Sequence, residues 1–357
     1  MHAHTAPLVF GHRGASGYRP EHTSAAYELA FALGADAVEP DLVSTKDGVL
    51  VLRHENEISG TTDVAEHPEF ADRRATKEID GVELTGWFTE DFTWAELSTL
   101  RARERLGAIR QANATFDGRY PLLRMRDLFD IVDRASDDAA RLLGIVAELK
   151  HATYFESIGL PLDDLFSSEL ADAGWTDNPE LVVESFEKTV LGQLYKRGFR
   201  GHRVYLLEDE GAPADRVAAL GAAAPGYRSD LTAMGLYALA SAPAAERVDG
   251  ISVDASLLLS PRAVTAALDD VEDEAELTSD LVDAAHAAGL GVYCWTLRPE
   301  NTFLPAEFRR GTGDGDGARS DAAWGDWERM FAVVMRSGVD GVFADHPDLA
   351  IAVRDAR

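Results

Sequence analysis

A single cysteine, Cys294, excludes any disulfide within the chain and any thiolate metal cage. Basic residues are scarce as well: 34 Lys and Arg stand against 62 Asp and Glu, a formal net charge of -28. A field of that sign repels phosphate backbones and anionic lipid surfaces, so nucleic acid is not an expected partner. Its plainest meaning is solubility, and it names no substrate. No apolar run is long enough to span a bilayer, and Met1 to Pro7 lacks a basic region followed by an apolar stretch. As written the chain is expected in the cytoplasm, or in a secreted or periplasmic setting had an export signal been removed. His2 and His4 read as a frayed end, and nothing in the sequence sets the oligomeric state.

What is present suffices for a sizeable core, since 46% of the 357 residues are hydrophobic. Eight short apolar runs recur: Leu8-Phe10, Ala37-Leu42, Gly144-Leu149, Leu181-Ser185, Val204-Leu207, Gly250-Val253, Gly291-Trp295 and Gly341-Phe343. Near-continuous Val, Ile and Leu runs separated by helical segments are the pattern of parallel strands covered on the outside. Eight such units predict an α/β fold, a closed (β/α)8 TIM barrel forming one catalytic domain over residues 1–357. Helices are expected from Ser24 to Leu33, Asp280 to Ala288 and Trp324 to Ser337, stopped by Gly34, Gly289 and Gly338. Residues 56–120 lack a strand and helix rhythm and are read as an insertion over the barrel mouth, after a strand-two hairpin. Residues 299–321, with the run Gly311 to Gly317, are read as a flexible loop insertion. The Asp-Gly alternation there lacks a third aligned acid and a closing bidentate glutamate, so it is not assigned a calcium ion.

In such a barrel the chemistry lies at the carboxyl ends of the strands, where His12, Arg13, Glu39, Asp41, Glu148, Lys150, Ser185, Phe186, Asp254, Trp295, Thr296 and Asp345 fall. Glu39 and Asp41, two apart on a strand, project from one face as a chelating pair. Glu148 on the next strand could add a third oxygen ligand for a hard divalent cation. A tight turn over Thr45 to Gly48 would fold Val49 to Arg53 back along strand two, bringing His54 level with Pro40 and Asp41 and facing His12. Three carboxylates and one dication sum to -1, which Arg13 and Lys150 would turn positive. A singly charged phosphodiester suits that balance, with two histidines dividing general acid and general base work.

These residues stand in ordered blocks: His12-Arg13-Gly14-Ala15-Ser16-Gly17-Tyr18 with Pro20-Glu21-His22-Thr23, Glu39-Pro40-Asp41, Thr45-Lys46-Asp47-Gly48 and Glu148-Leu149-Lys150. Weaker echoes are Glu184-Ser185-Phe186, Asp249-Gly250-Ile251, Trp295-Thr296 and Gly341 to Asp345 before Pro347. Over most of its length the chain resembles the glycerophosphodiester phosphodiesterases, particularly the longer bacterial type found in the periplasm. The resemblance implies His12 and His54 as the acid and base pair, and Glu39, Asp41 and Glu148 as ligands of one divalent cation, Ca2+ or Mg2+, with Mn2+ also suited. It further implies that Arg13 and Lys150 hold the substrate phosphate, that Glu21 supports the site by hydrogen bonding, and that a small-molecule glycerophosphodiester is the substrate. Glu55 departs from the family, which usually places an aspartate after the second histidine. Phe186 and Trp295 could line the substrate's carbon, or serve as wall residues. Two other functions remain open to the same residues: a related phosphodiesterase releasing a cyclic phosphate from a lysophospholipid or inositol lipid, and a protein that binds phosphodiesters without turning them over.

Overall fold

The computed structural model describes residues 6–259, 278–311 and 321–356. His2, His4 and the segment 312–317 of the glycine-rich run lie outside the described residues. In chain order the strands are β1 (Leu8–His12), β2 (Ala37–Glu39), β3 (Asp41–Ser44), β4 (Leu50–Leu52), β5 (Ala75–Ile79), β6 (Val82–Gly86), β7 (Gly144–Leu149), β8 (Leu181–Ser185), β9 (His202–Leu207), β10 (Gly250–Asp254), β11 (Gly291–Leu297) and β12 (Gly341–Ala344). Parallel neighbours run β2-β1-β12-β11-β10-β9-β8-β7, and β2 pairs with β7 to close the circle. Each of the eight apolar runs supplies one barrel position, and the fold is a (β/α)8 TIM barrel.

The second position differs from the uninterrupted run Ala37-Leu42. Pro40 has no N–H to give the ladder, so the strand is split into β2 and β3. Both halves keep one register with β7, through Val38 against Ile145 and Asp41 against Glu148. Beyond it β3 turns into β4 as an antiparallel hairpin, with Leu42 opposite Leu52 and the Arg53 amide donating to the Asp41 carbonyl at 3.0 Å. That register sets His54 beside Pro40, as the turn chemistry predicts. Within the turn the Thr45 hydroxyl donates to Asp47 Oδ1 at 2.6 Å, and Gly48 takes φ 75°.

The helical readings hold to within a few residues. Ser24–Ala32 begins where the Thr23 hydroxyl accepts from the Ala26 amide, and Leu281–Ala288 stops at Gly289 in the left-handed conformation. The helix expected from Trp324 starts later, as Trp327–Arg336, because residue 324 is used in a bridge to Glu300. Residues 56–120 hold the β5–β6 hairpin and short helical turns, packed through Ile58, Val64, Phe70, Phe92, Leu97 and Leu100. In the second insertion, Asn301–Phe303 and Ala306–Phe308 are 3-10 turns.

Two apolar layers result from the strand alternation. Outward residues such as Val9, Val38, Ile145, Val183, Ile251, Val292 and Val342 join the large core beneath the helices. Inward residues Phe10, Ala37, Val146 and Phe343, with Val182, Tyr293 and Trp295, form a separate plug inside the barrel.

Gly14, directly after β1, has φ 84°, and a Cβ there would lie 2.6 Å from the Ala26 backbone. Gly14→Ala is expected to lower stability by about 1–3 kcal/mol, from the unfavourable φ alone; thermal unfolding of the two proteins measures it, and an unchanged Tm refutes it.

Candidate active site

Five inward plug residues are each followed two positions later by a polar group at the carboxyl end of the strand. Phe10 precedes His12, Ala37 precedes Glu39, Val146 precedes Glu148, Val182 precedes Glu184 and Phe343 precedes Asp345. Because side chains alternate with period two, these groups emerge on the same inner face, above the plug. His12, Glu39, Glu148 and Glu184 line one end of a cavity of about 900 Å³ together with Arg13, His54 and Lys150, and Asp345 lies behind His12.

His12 is nearly buried, and its Nδ1–H donates to Asp345 Oδ1 at 2.6 Å. This leaves Nε2 as the nitrogen with a free lone pair. Burial and the neighbouring Arg13 push the imidazole down to about 4, against the raising effect of Asp345. Burial would raise the Asp345 carboxyl, but Arg298 and Arg110 hold it well below the usual carboxylate range. Both guanidinium groups donate to its Oδ2, at 2.8 and 2.7 Å, and Arg110 also donates to Glu300 at 2.7 Å.

Among the described residues, one set of acids brings its oxygens within 4.8 Å of one another: Glu39, Glu148 and Glu184. All three are buried, and Glu39 Oε1 and Glu184 Oε2 have no hydrogen-bond partner. Burial pushes Glu148 up to about 8 and raises Glu39 and Glu184 well above the ordinary range, with nearby carboxylates adding to the effect. Close-set oxygens with unused lone pairs suit a hard divalent cation such as Ca2+ or Mg2+. The third member differs from the expected Asp41. Asp41 shares a register row with Glu148 and Glu184, yet it is absent from the cavity wall. Its Oδ2 instead accepts from His22 Nε2 at 3.0 Å and lies 3.2 Å from Arg13 Nε, while its Oδ1 is left without a hydrogen bond.

Arg13 occupies a left-handed backbone position, φ 59°. Its amide donates to Glu39 Oε2 at 2.9 Å, and its Nη1 donates to Glu21 Oε2 at 3.0 Å. Glu21 therefore supports the arginine from behind, together with Arg105 at 3.3 Å, and does not line the cavity. Lys150 Nζ lies 3.0 Å from Glu148 Oε1 and donates to His54 Nε2 at 3.3 Å.

His54 is reached from the other side of the cavity. Its Nδ1 lies 2.7 Å from Glu55 Oε1, and burial with Arg13 and Lys150 pushes the imidazole down to about 3. Glu55 in turn accepts from His151 Nε2 at 3.2 Å, and His151 Nδ1 meets Asp80 Oδ2 at 2.5 Å, in the β5–β6 turn. Against burial, the bonds to Asp80 and Glu55 push His151 up to about 9. The longer Glu55 thus joins a catalytic-side histidine to the insertion through a second, charged histidine. Phe186 and Trp295 both line the cavity, with ring centres 5.8 Å apart.

Several members of this network carried no role in the sequence. Glu184 stands in the block Glu184-Ser185-Phe186 and Asp345 closes the last strand, so position alone marked both. His22, within Pro20-Glu21-His22-Thr23, is fully buried between Asp41 and the Tyr27 hydroxyl at 2.7 Å. Arg110, Arg298, His151 and Asp80 come from insertions and loops, where spacing gave no signal.

A cluster that concentrates negative oxygens for a cation, flanked by cations that face the same cavity, is built to bind a phosphate ester. Two neutral imidazoles beside it define the class, a barrel phosphodiesterase. The family model for the "Glycerophosphoryl diester phosphodiesterase family" matches residues 12–349, and the chain belongs to that family. A glycerophosphodiester phosphodiesterase of Arabidopsis thaliana is 29% identical over 360 residues, covering 95% of this chain and 83% of its own. One from Haemophilus influenzae is 32% identical over 189 residues, half of each chain. Among solved structures, a glycerophosphoryl diester phosphodiesterase from Silicibacter pomeroyi has a TM-score of 0.64 at 20% identity, covering 99% and 94% of the two chains. A phosphodiesterase from Oleispira antarctica in complex with the product sn-glycerol-3-phosphate has a TM-score of 0.57 at 19% identity, covering 98% and 97%. At these identities the structures speak to the fold.

Asp345→Asn removes the charge that orients His12 and stabilises its protonated form. The expected result is a fall in kcat of about 100-fold or more with little change in KM; steady-state kinetics on a diester substrate, with circular dichroism as a folding control, checks it. For His151 the folded pKa is raised from 6.5 to about 9, so its stabilisation is complete below pH 6.5 and lost as pH rises through 9. Wild type should therefore exceed His151→Gln in stability at pH 6.5 and lose much of that margin by pH 10, as read by urea unfolding.

Proposed function

We propose that the protein hydrolyses glycerophosphodiesters to sn-glycerol 3-phosphate and an alcohol, in a reaction that needs one divalent cation. The observation that carries this reading is the meeting of His12 and His54 in one cavity with Arg13, Lys150 and the carboxylate trio. Family membership supports it, and the Oleispira antarctica phosphodiesterase, of the same fold, is described with sn-glycerol-3-phosphate as its product.

Glu39, Glu148 and Glu184 would hold the cation, and Asp41, opposite Glu148 in the register, has an Oδ1 without a hydrogen bond that could join them. When bound, the cation supplies Lewis-acid neutralisation of the phosphoryl oxygens. Arg13 and Lys150 provide fixed positive charge for the same oxygens, and their acidic partners hold them in place before substrate arrives. His12 and His54 are both neutral at pH 7. Each has one nitrogen oriented by a carboxylate, Asp345 or Glu55, and the opposite Nε2 turned from it. One imidazole takes the proton of the attacking oxygen; the other takes up a proton from solvent and gives it to the departing alkoxide, and the first releases its proton to solvent to complete the turnover. Asp345 and Glu55 stabilise the imidazolium formed at their histidine. Water as the nucleophile yields sn-glycerol 3-phosphate, whereas a substrate hydroxyl attacking its own phosphorus would yield a cyclic phosphate.

Release of glycerol 3-phosphate from glycerophosphocholine, with and without chelator, tests the proposal directly. Chelation is expected to abolish product and a divalent cation to restore it, and His54→Ala to lose about 100-fold or more in kcat. No product with Ca2+, Mg2+ or Mn2+, or a cyclic phosphate as the first product, overturns it.

A further inference from the structure

The residues proposed above to bind the phosphoryl group occupy only one end of the cavity. Its other end is walled by Phe186, Glu187, Glu208, Tyr227 and, from the hairpin tip, Asp80. Phe186 marks the border, with Lys150 Nζ 5.6 Å from its ring centre on one side and the Tyr227 ring 6.2 Å away on the other. The Tyr227 hydroxyl donates to the Phe186 carbonyl at 3.2 Å, which fixes the two rings edge to face.

The charges at the two ends differ. At the phosphoryl-binding end the cations Arg13, Arg105, Lys150 and Arg298 face the cavity beside the carboxylate trio. At the far end the carboxylates have little compensation. Glu187 is 3% exposed; its Oε2 accepts from the Thr153 amide at 2.9 Å, and its Oε1 has no partner. Glu208, just past β9, is exposed and has no ion-pair partner among the described residues. Of the cations nearby, Lys150, whose charge lowers Glu208 against burial, is held by Glu148 at 3.0 Å, and His151 is held between Asp80 and Glu55. Burial first, then the charges of Glu208, Asp215, Glu187 and Asp80, raise the Tyr227 hydroxyl, which shows these carboxylates gathered around one aromatic ring. Burial together with Asp80 pushes Glu187 up to about 7, the mark of a carboxylate short of positive charge.

Aromatic rings and unpaired carboxylates around a concave space form the recognition chemistry of an ammonium group. A neutral arm would leave both glutamates uncompensated, and an anionic arm would be repelled. We propose that this far lobe is a headgroup subsite selecting phosphodiesters whose second arm carries an ammonium, with Glu187 and Glu208 as the discriminating residues. A zwitterionic diester then lies along the cavity with its phosphate among the cations and its ammonium against Tyr227 and the two glutamates. The inference rests on the phosphodiesterase reading given above and adds the class of alcohol released.

The test compares kcat/KM for glycerophosphocholine and glycerophosphoethanolamine with that for neutral glycerophosphoglycerol, in wild type, Glu208→Gln and Glu187→Gln. Wild type is expected to favour the ammonium diesters by about tenfold or more. Each variant should reduce that ratio by about fivefold, chiefly through KM for the ammonium substrates. Glu208 is exposed, so its variant keeps the test intact if Glu187→Gln fails to fold. A wild-type ratio near one, or a ratio retained in Glu208→Gln, overturns the subsite. Cleavage of none of the three diesters overturns instead the phosphodiesterase reading on which it rests, whereas cleavage of all three at equal efficiency overturns the subsite alone.

Discussion

The buried guanidinium of Arg13 is the charge on which the rest of the site depends. It is 4% exposed and lies against Glu21 and Asp41, both also buried. Despite burial, it holds the Glu21 carboxyl well below the usual range, and with His54 it does the same for Asp41. Removing one partner from such a group leaves another charge stranded in a low-dielectric interior, a far larger loss than any surface ion pair represents. The left-handed backbone at Arg13 aims its amide at Glu39 while its side chain turns toward Glu21. One residue therefore links the first strand, the loop after it and the carboxylates of the second.

The barrel supplies the second constraint. An apolar plug of Phe10, Ala37, Val146 and Phe343 closes the interior, and the next inward position on each of those strands is His12, Glu39, Glu148 or Asp345. Apolar floor and polar site are thus consecutive members of one alternation, so the fold cannot place one without the other. Rigid strands hold the metal-type acids and His12, whereas His54 and its partners arrive on a hairpin and an insertion. The path His54, Glu55, His151, Asp80 ties those pieces to the strand after which His151 falls. Through its two carboxylate oxygens Glu55 contacts both histidines.

Much of this was legible from the chain alone. Eight apolar runs, glycines at helix ends and the Thr45 to Gly48 turn follow from local rules of propensity and periodicity, and they place His12, Glu39, Glu148 and His54 at one end of a barrel. Where local rules failed, a tertiary competitor was responsible. Pro40 interrupts a strand that hydropathy reads as continuous, and residue 324 is drawn from its helix into a bridge with Glu300. Spacing made Asp41 a chelating twin of Glu39; in the structure His22 and Arg13 hold one of its oxygens and the other has no hydrogen bond.

By itself, then, the sequence determined the barrel and which residues stand at the carboxyl ends of its strands, because each depends on neighbours within a few positions. Only the tertiary structure decided that Glu184 completes the acid trio, that Arg110 and Arg298 charge Asp345 behind His12, and that Glu187, Glu208 and Tyr227 share one lobe. Those groupings join residues tens to hundreds of positions apart. Coulomb energy and burial depend on distance through space, which closure of the barrel sets and which no local pattern encodes.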